Sequence, residues 1–305
     1  MIKKKILILG YSSFFKRRVS KSLNKIKNLE VFICSKSNKI NHRLRIFYND
    51  YDKALKDKPY DFVYISLINS MHYLYAKKAL ELKLNVIIDK PITTSFNDTK
   101  RLLQIAKKNK LLLCEMIIFN HHKIFNKIIK IFHGIKNIDY IYSSFSAPFT
   151  ESTKKLMTIK KNVNHDMGPY LAAMDRIFFN KSLNKKTILK KDFQKNLMTE
   201  LNINISSKNL QYYGQFCIRK AYESKIIFGS KKIIVEIPVQ AFALSANKLI
   251  KIKILKKNKI SYFRLKDDYI KRSFLDLFKN KQEYSHYYDL INRDNLFMIK
   301  NKLFS

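Results

Sequence analysis

Short apolar segments alternate with longer helical patterns through the first 118 residues, and this alternation most constrains the fold. Segments that are apolar at nearly every position are typical of strands covered on both faces, as in parallel sheets. Repeated strand, helix and strand units connect by right-handed crossovers. We therefore predict a doubly wound α/β domain over residues 1–118. Its predicted strands are residues 5–9, 30–34, 62–66, 85–88 and 111–114, and its predicted helices are residues 17–26, 70–84 and 95–109.

The pattern changes after residue 118. Helical segments at residues 123–132 and 168–179 are followed by five segments in which apolar and polar residues alternate. Alternation of period two is typical of half-buried antiparallel strands. We therefore predict an α+β domain over residues 119–305, with an open, mainly antiparallel sheet and a C-terminal helical tail. The five predicted strands are residues 201–205, 211–218, 222–228, 232–237 and 250–255, and the tail is residues 268–278 and 284–303.

The charge of the chain is strongly positive, with 61 Lys and Arg against 23 Asp and Glu and a formal net charge of +38. Such an excess suggests nucleic acid or an anionic surface as a partner. The chain also has many Ile and Asn but only five Gly, five Pro and no Trp, a composition that AT-rich coding bias would produce without a function. We favour the second explanation, because the sequence has no stripe of cations with interleaved aromatic residues.

The apolar segments are too short for a signal peptide or a membrane span. The apolar segment near the N-terminus comprises only residues 6–9. The longest later segment, residues 111–119, is interrupted by Glu115, and a membrane span needs about 18 apolar residues. The cysteines form no CxxC pair and lie in apolar segments, so we expect reduced, buried thiols and no zinc site. They are Cys34, Cys114 and Cys217. We expect a soluble, cytoplasmic protein.

The turn after the first predicted strand keeps one glycine of the G-x-G-x-x-G pattern, with which dinucleotide-binding domains bring backbone amides to a pyrophosphate. It reads Gly10-Tyr-Ser-Ser-Phe-Phe, so Ser12 and a phenylalanine replace the other two glycines. Ser12 and Ser13 can still supply hydroxyl and amide donors. The following helix starts where anions are favoured, and it carries two cations there, Arg17 and Arg18. The turn indicates a dinucleotide site.

The end of the second predicted strand indicates which dinucleotide is preferred. An NAD site places an acid there against the ribose 2′-hydroxyl, whereas this chain has Ser35 and Lys36. A hydroxyl and a cation suit the 2′-phosphate of NADP. We therefore favour NADP(H) over NAD(H), with one more surface lysine as the alternative for Lys36.

Four short motifs follow in a fixed order between residues 61 and 91. They are Asp61-Phe-Val-Tyr-Ile65, Asn69-Ser-Met-His72, Ala79-Leu-Glu-Leu-Lys-Leu-Asn-Val86 and Asp89-Lys90-Pro91. They resemble the D-x-V-x-I strand, N-x-x-H turn, A-L-x-x-G-K-x-V join and E-K-P motif of the glucose-fructose oxidoreductase, inositol dehydrogenase and rhizopine-catabolism (Gfo/Idh/MocA) family. The turn at Gly10 and the segment His165-Asp-Met-Gly-Pro-Tyr170 extend the resemblance, which is greatest to NADP-dependent ketoreductases of nucleotide-linked sugars.

The resemblance implies a Rossmann domain and hydride transfer between a nicotinamide and a keto or hydroxyl carbon of a sugar or nucleotide-sugar. Lys90 would stabilise the negative charge on the carbonyl oxygen, and the family has a cis peptide bond after this lysine. Tyr170 would donate or accept the proton, and Asp166, on the same helix face, would orient Tyr170 or hold substrate hydroxyls. We expect Gly168 and Pro169 to open that helix.

The resemblance also implies the remaining contacts. Beyond the first turn and the second strand end, the expected cofactor-binding residues are Leu67, Asn69, His72, Asp89 and Lys90. The expected substrate-binding residues are Lys90, Glu115, Asp166 and Tyr170. A satisfied histidine is the alternative for His72, and a core aromatic is the alternative for Tyr170.

The chain departs from the family pattern in three places. The first turn lacks glycines, Lys83 stands where glycine is usual, and residues 160–164 replace a glycine run. These departures keep open a catalytically weak or inactive homologue that binds a sugar nucleotide or NADP, and a basic nucleic-acid-binding protein is a third hypothesis. We expect no metal, no nucleic-acid partner, no membrane partner, and a homo-oligomer, dimer or tetramer, formed through the outer face of the second-domain sheet.

Overall fold

The computed structural model of the protein describes residues 3–36, 47–57, 59–148, 163–179, 185–194, 197–218, 221–244, 246, 248–279 and 284–304. The chain divides into two compact units. Unit 1 runs to Ile117 and also includes Asp268–Leu296. Unit 2 comprises Ile118–Asp267 and Phe297–Phe304.

Unit 1 is built on a parallel sheet. Its strands are β1 (Lys4–Leu9), β2 (Leu29–Cys34), β3 (Phe47–Tyr48), β4 (Phe62–Ile65), β5 (Asn85–Asp89) and β6 (Leu113–Met116). A π-helical turn, Phe15–Val19, leads into α1 (Ser20–Leu23), and α2 (Tyr51–Asp57), α3 (Asn69–Glu81) and α4 (Phe96–Asn109) follow. The strand order is β3-β2-β1-β4-β5-β6 with every neighbouring pair parallel, which confirms the predicted doubly wound sheet.

The helices of unit 1 begin and end where local chemistry allows it. The side chain of Ser95 accepts a hydrogen bond from the Asp98 amide and so caps the start of α4. Lys110 ends α4 in the left-handed conformation, and Lys83 after α3 has a φ of 61°. That conformation explains why glycine would suit the position of Lys83.

The described residues of unit 2 form three α-helices and a large sheet. Its helices are α5 (Ile118–His121), α6 (Ile124–Ile131) and α7 (Val163–Phe179). Its strands are β7 (Tyr140–Ala147), β8 (Lys186–Gln194), β9 (Leu197–Ser206), β10 (Gln211–Ile218), β11 (Glu223–Gly229), β12 (Ile233–Ile237), β13 (Ile250–Lys256) and β14 (Lys259–Leu265). The order is β14-β13-β12-β11-β7-β10-β9-β8, and β7 with β10 is the parallel pair, which confirms a mainly antiparallel sheet.

The two C-terminal helices, α8 (Tyr269–Lys279) and α9 (Tyr284–Lys300), correct the predicted position of the helical tail. All of α8 and most of α9 belong to unit 1. Phe274 and Phe278 of α8 pack on the sheet, with ring centroids 5.7 Å from Tyr64 and 4.6 Å from Phe62. The apolar stripe of a helix packs where an apolar surface is open to it, and position in the chain does not reveal that surface.

Among the described residues, no helix has the length and apolarity required to span a bilayer.

Candidate functional site

The turns after β1, β4 and β5 lie next to one another, because these three strands are parallel neighbours. Gly10 begins the first turn with a φ of 93°, and its amide donates to the Cys34 carbonyl at 2.8 Å. A Cβ at Gly10 would overlap the carbonyl oxygen of Ser66 in the turn after β4. The one glycine kept from the dinucleotide pattern therefore stands where the two turns meet.

Ser12, in the place of the second glycine, is directed inward. Its Oγ accepts a hydrogen bond from the Phe15 amide at 3.0 Å and lies 2.7 Å from Ser66 Oγ. Ser13 and Arg17 are exposed, and Arg17 Nε donates to the Ser13 carbonyl at 3.2 Å. The first turn thus offers Ser13 and Arg17 to solvent, while Ser12 connects it to the turn after β4.

Asp89, the last residue of β5, accepts two hydrogen bonds from hydroxyls of β4 and its following turn. Ser66 Oγ donates to Oδ2 at 2.5 Å, and the Tyr64 hydroxyl donates to Oδ1. Burial raises the pKa of Asp89 to about 6, although both hydrogen bonds and the charge of Lys90 act to lower it. Each carboxylate oxygen therefore already holds a protein hydroxyl.

The peptide bond between Lys90 and Pro91 is cis. His72 of α3 is fully buried, with Nδ1 2.7 Å from the Pro91 carbonyl and Nε2 3.1 Å from the Leu67 carbonyl. Glu115 of β6 is buried and accepts a hydrogen bond from the Ile92 amide at 2.9 Å. His72 and Glu115 thus bind backbone atoms of Pro91 and Ile92, the two residues that follow Lys90.

The other predicted site residues of unit 1 lie at the ends of strands or in the helices that follow them. Lys90 is half-buried at the end of β5, and Asn69 is half-buried at the first position of α3. Ser35 is buried and Lys36 is exposed after β2, with Lys36 Nζ 5.5 Å from the ring centroid of Tyr51. Arg18 is half-buried in the first helix.

Two residues that hold the Asp89 carboxylate in place were not predicted from the sequence. Ser66 and Tyr64 are buried, and their hydroxyls donate hydrogen bonds to Asp89. The available signal was their spacing: Tyr64 and Ser66 lie two residues apart at the carboxyl end of β4, which places both side chains on one face.

An acid also lies near Lys36 and was not predicted. Asp50 accepts hydrogen bonds from the amides of Asp52 and Lys53 at the start of α2. The Lys53 amide is the main cause of the lowered pKa of Asp50, and Lys36 also lowers it. A carboxylate is therefore available close to the end of β2, where the sequence suggested a hydroxyl and a cation alone.

In unit 2, Asp166 and Tyr170 lie four residues apart on α7, as expected for one helix face. The helix begins at Val163, so Gly168 and Pro169 lie inside it and do not open it as predicted. Pro169 is the seventh residue of the helix, so it lacks the amide that would donate to the His165 carbonyl. At Gly168, a Cβ would overlap the side-chain end of Met298, so packing explains the glycine.

Tyr170 is held by aromatic side chains. It is buried, and its ring centroid lies 4.9 Å from Phe119 and 5.5 Å from Phe242. Such pairs fix the plane of the phenol ring while leaving its hydroxyl as the polar end. Asp166 is half-buried, and burial lowers the pKa of the neighbouring His165.

Within the described part of the chain, no three His, Cys, Asp or Glu side chains are grouped so as to hold a metal ion. Cys34 and Cys114 are buried, and burial raises the pKa of Cys34 to about 12 and that of Cys114 further. These two thiols are therefore protonated and unreactive near neutral pH.

Residues 4–116 match the Gfo/Idh/MocA oxidoreductase family, which is described as having an NAD-binding Rossmann fold. A 124-residue segment is 32% identical to dTDP-3,4-didehydro-2,6-dideoxy-alpha-D-glucose 3-reductase of Saccharopolyspora spinosa, over 39% of this chain and 37% of that protein. The reductase of the same name from Streptomyces violaceoruber is 31% identical over 100 residues, 32% of this chain and 29% of its own. The matched segments thus span about a third of these relatives' length.

Solved structures extend the similarity to both units. A 3-ketoreductase from Actinomadura kijaniata, in complex with NADP and TDP-benzene, has a TM-score of 0.80 at 20% identity, over 96% of this chain and 95% of that one. UDP-N-acetylglucosamine 3-dehydrogenase from Acidithiobacillus ferrooxidans has a TM-score of 0.72 at 12% identity, over 98% and 97%. At these identities the similarity establishes a shared fold across the chain.

Proposed function

Because residues 4–116 match the Gfo/Idh/MocA family of oxidoreductases, we propose that the protein is a member of that family and an NADP(H)-dependent ketoreductase of a nucleotide-linked sugar. The observation that carries the proposal is the position of Lys90. It lies at the carboxyl end of β5, the edge at which ligands bind in sheets of this kind, and only β4 separates β5 from the strand that precedes the turn at Gly10.

The residues of unit 1 fit a nicotinamide dinucleotide. The close approach at Gly10 leaves no room for a side chain beside the first turn, and Ser13 and Arg17 are exposed at the start of the following helix. Ser35 and Lys36 would hold the 2′-phosphate of NADP(H), with Arg18, Leu67 and Asn69 as further contacts. The bound dinucleotide would supply or accept the hydride.

The residues of the chain would do the remaining chemistry. The ammonium of Lys90 would stabilise the negative charge that develops on the carbonyl oxygen of the sugar. Tyr170 would donate the proton in the reductive direction, and Asp166 would orient Tyr170 or hold sugar hydroxyls. His72 and Glu115 would act through Lys90, because they bind backbone atoms of the two residues that follow it.

The substrate class rests on the relatives. Two curated relatives are dTDP-sugar 3-reductases, and the Actinomadura enzyme was crystallised with TDP-benzene and NADP. A net charge of +38 favours the capture of such polyphosphate ligands. The proposal includes a cytoplasmic location, where reduced dinucleotides are available, and a homo-oligomer formed through the outer sheet face, on which Tyr213 and Tyr262 are exposed.

Purified protein tests the proposal. NADPH fluorescence should saturate at micromolar concentrations, and NADPH should be oxidised when a TDP-linked keto sugar is added. Lys90→Met should bind NADPH like the unsubstituted protein and lose turnover by about a thousandfold or more, the range expected when a cation at a developing oxyanion is removed. Lys100→Met, at an exposed position of α4, is the matched control and should keep full turnover.

The alternatives give different results in the same assays. Unchanged turnover in Lys90→Met would remove Lys90 from the reaction. Because Ser12 replaces a glycine of the first turn, a homologue that only binds is the second candidate, and it would bind NADPH without oxidising it with any nucleotide-linked keto sugar tested. Absence of NADPH saturation together with salt-sensitive retention on DNA would instead favour the nucleic-acid-binding alternative.

A further inference from the structure

A continuous chain of hydrogen bonds runs from the first turn of unit 1 to the end of β5. The Phe15 amide donates to Ser12 Oγ at 3.0 Å, Ser12 Oγ lies 2.7 Å from Ser66 Oγ, and Ser66 Oγ lies 2.5 Å from Asp89 Oδ2. Ser66 is buried, whereas Ser12 is half-buried in the turn. The chain connects the expected phosphate-binding turn to the residue that precedes Lys90.

Each hydroxyl in this chain has a single proton to donate, and this fixes the direction of the bonds. An ionised carboxylate accepts only, so the Ser66 proton goes to Asp89. Ser66 Oγ can then only accept, and the Ser12 proton must go to Ser66. Because this proton is directed to Ser66, the Ser12 hydroxyl has none left for a ligand, and its oxygen accepts from the Phe15 amide.

Protonation of Asp89 reverses this direction. A proton on Oδ2 lets Asp89 donate to Ser66 Oγ, and the Ser66 proton can then turn toward Ser12 Oγ. The Ser12 proton becomes available for a phosphate oxygen, which is a hydrogen-bond acceptor.

We propose that Asp89 is a positioning residue that acts through Ser66 and Ser12: its protonation state sets whether the Ser12 hydroxyl can donate to the pyrophosphate of the bound dinucleotide. The inference rests on the proposed function, because it requires a dinucleotide at the first turn. Dinucleotide affinity then rises as the pH falls through the titration of Asp89, and a bound pyrophosphate favours uptake of a proton by that carboxyl.

The groups around Asp89 place this titration near neutral pH. Tyr64 of β4 and Lys90 face Asp89, while Tyr269 of α8 and Cys114 of β6 face Tyr64. Burial raises the pKa of Tyr64 and of Cys114, so both stay neutral. Burial also raises the pKa of Asp89 to about 6, within the range in which binding can be measured.

Calorimetric titration of NADP⁺ at pH 5 and pH 8 tests the proposal in three proteins. In Asp89→Asn, the carboxamide can donate to Ser66 at every pH. This variant should match the unsubstituted protein at pH 5 and bind about fivefold to tenfold more tightly at pH 8, the effect of roughly one hydrogen bond. Ser12→Ala should do the opposite, matching at pH 8 and binding about fivefold to tenfold more weakly at pH 5. The ratio of the NADP⁺ affinities of two proteins at one pH is independent of the titration of the NADP⁺ 2′-phosphate, because that titration affects all three proteins equally.

Two further variants separate the relay from a general loss of structure. Tyr64→Phe removes a hydrogen bond to the ionised form of Asp89, so the pH midpoint of NADP⁺ affinity should move upward. Asp61→Asn changes a carboxylate that binds the Lys5 amide before β4, outside the relay, and should leave the affinity ratio at 1 at both pH values.

The outcomes distinguish the two proposals. If the unsubstituted protein binds no NADP⁺ at either pH, the proposed function fails, and the relay fails with it. If it binds NADP⁺ but Asp89→Asn and Ser12→Ala each change affinity equally at both pH values, or Tyr64→Phe leaves the midpoint in place, the relay alone is wrong.

Discussion

The candidate residues of the two units are held in place by different forces. In unit 1, Asp89, His72 and Glu115 are fixed by directional hydrogen bonds between strand ends. In unit 2, Tyr170 is fixed by the packing of aromatic rings. The first kind of support responds to charge and geometry, whereas the second responds to volume. Substitutions in the two units should therefore produce different kinds of damage.

The largest difference in lost stability is expected between alanine substitutions of two glycines, one in each unit. Gly10→Ala combines a positive φ with overlap of backbone in the turn after β4, which cannot move aside, and should cost roughly 4 kcal/mol of unfolding free energy. Gly168→Ala meets only the flexible end of Met298 and gains helix propensity, so it should cost about 1 kcal/mol. Urea unfolding of both variants measures the difference, and equal losses would show that the first turn is not rigid.

Tyr170 tests the role of packing in unit 2. Tyr170→Ala should cost about 3 kcal/mol of unfolding free energy, because it opens a cavity between Phe119 and Phe242. Tyr170→Phe keeps the ring and should cost less than about 1 kcal/mol, while the proposed ketoreductase turnover should fall about a hundredfold, because the proposed proton donor is lost. Thermal unfolding and steady-state assays give the two values. Full activity of Tyr170→Phe would remove the phenol from the reaction.

The sequence predicted the parallel sheet of unit 1 well, because its strands are apolar at nearly every position and the helices between them are amphipathic. It did not reveal β7 or β8 of unit 2, since β7 contains three serines and β8 carries four lysine or aspartate side chains. The polar contacts of Asp89 and His72 were also missed. They depend on residues of neighbouring strands and turns that lie 19 to 25 positions away in the chain.

Glu115 tests whether hydrogen bonding supports the turn that carries Lys90. Glu115→Ala leaves the Ile92 amide without its carboxylate acceptor and should cost about 2 kcal/mol of unfolding free energy. Glu115→Gln retains an oxygen acceptor and should cost less than about 1 kcal/mol. Chemical denaturation separates the two variants. Equal costs would mean that neither the acceptor oxygen nor the side-chain volume of Glu115, both of which Glu115→Gln retains, accounts for the support.

The smallest predicted effect is the pH dependence of stability at Asp89. A carboxyl whose pKa is raised on folding binds its proton more tightly in the folded state, so its contribution is favourable at low pH and is lost as the pH rises through about 6. Asp89→Asn should therefore stabilise the protein relative to the unsubstituted chain at pH 8. Solvent screening at this partly exposed group limits the gain to about 1 kcal/mol. The gain should vanish between pH 6 and pH 4.

His165 of unit 2 should give a pH dependence of stability that is opposite in sign to that of Asp89. Burial lowers its pKa, so its contribution is present above the ordinary pKa of histidine and is lost as the pH falls below it. His165→Gln should therefore stabilise the protein, relative to the unsubstituted chain, at acid pH and not at pH 8. Thermal unfolding midpoints of the two variants, followed from pH 8 to pH 4, should diverge in opposite directions. Parallel curves would mean that Asp89 and His165 do not control the pH response of their units.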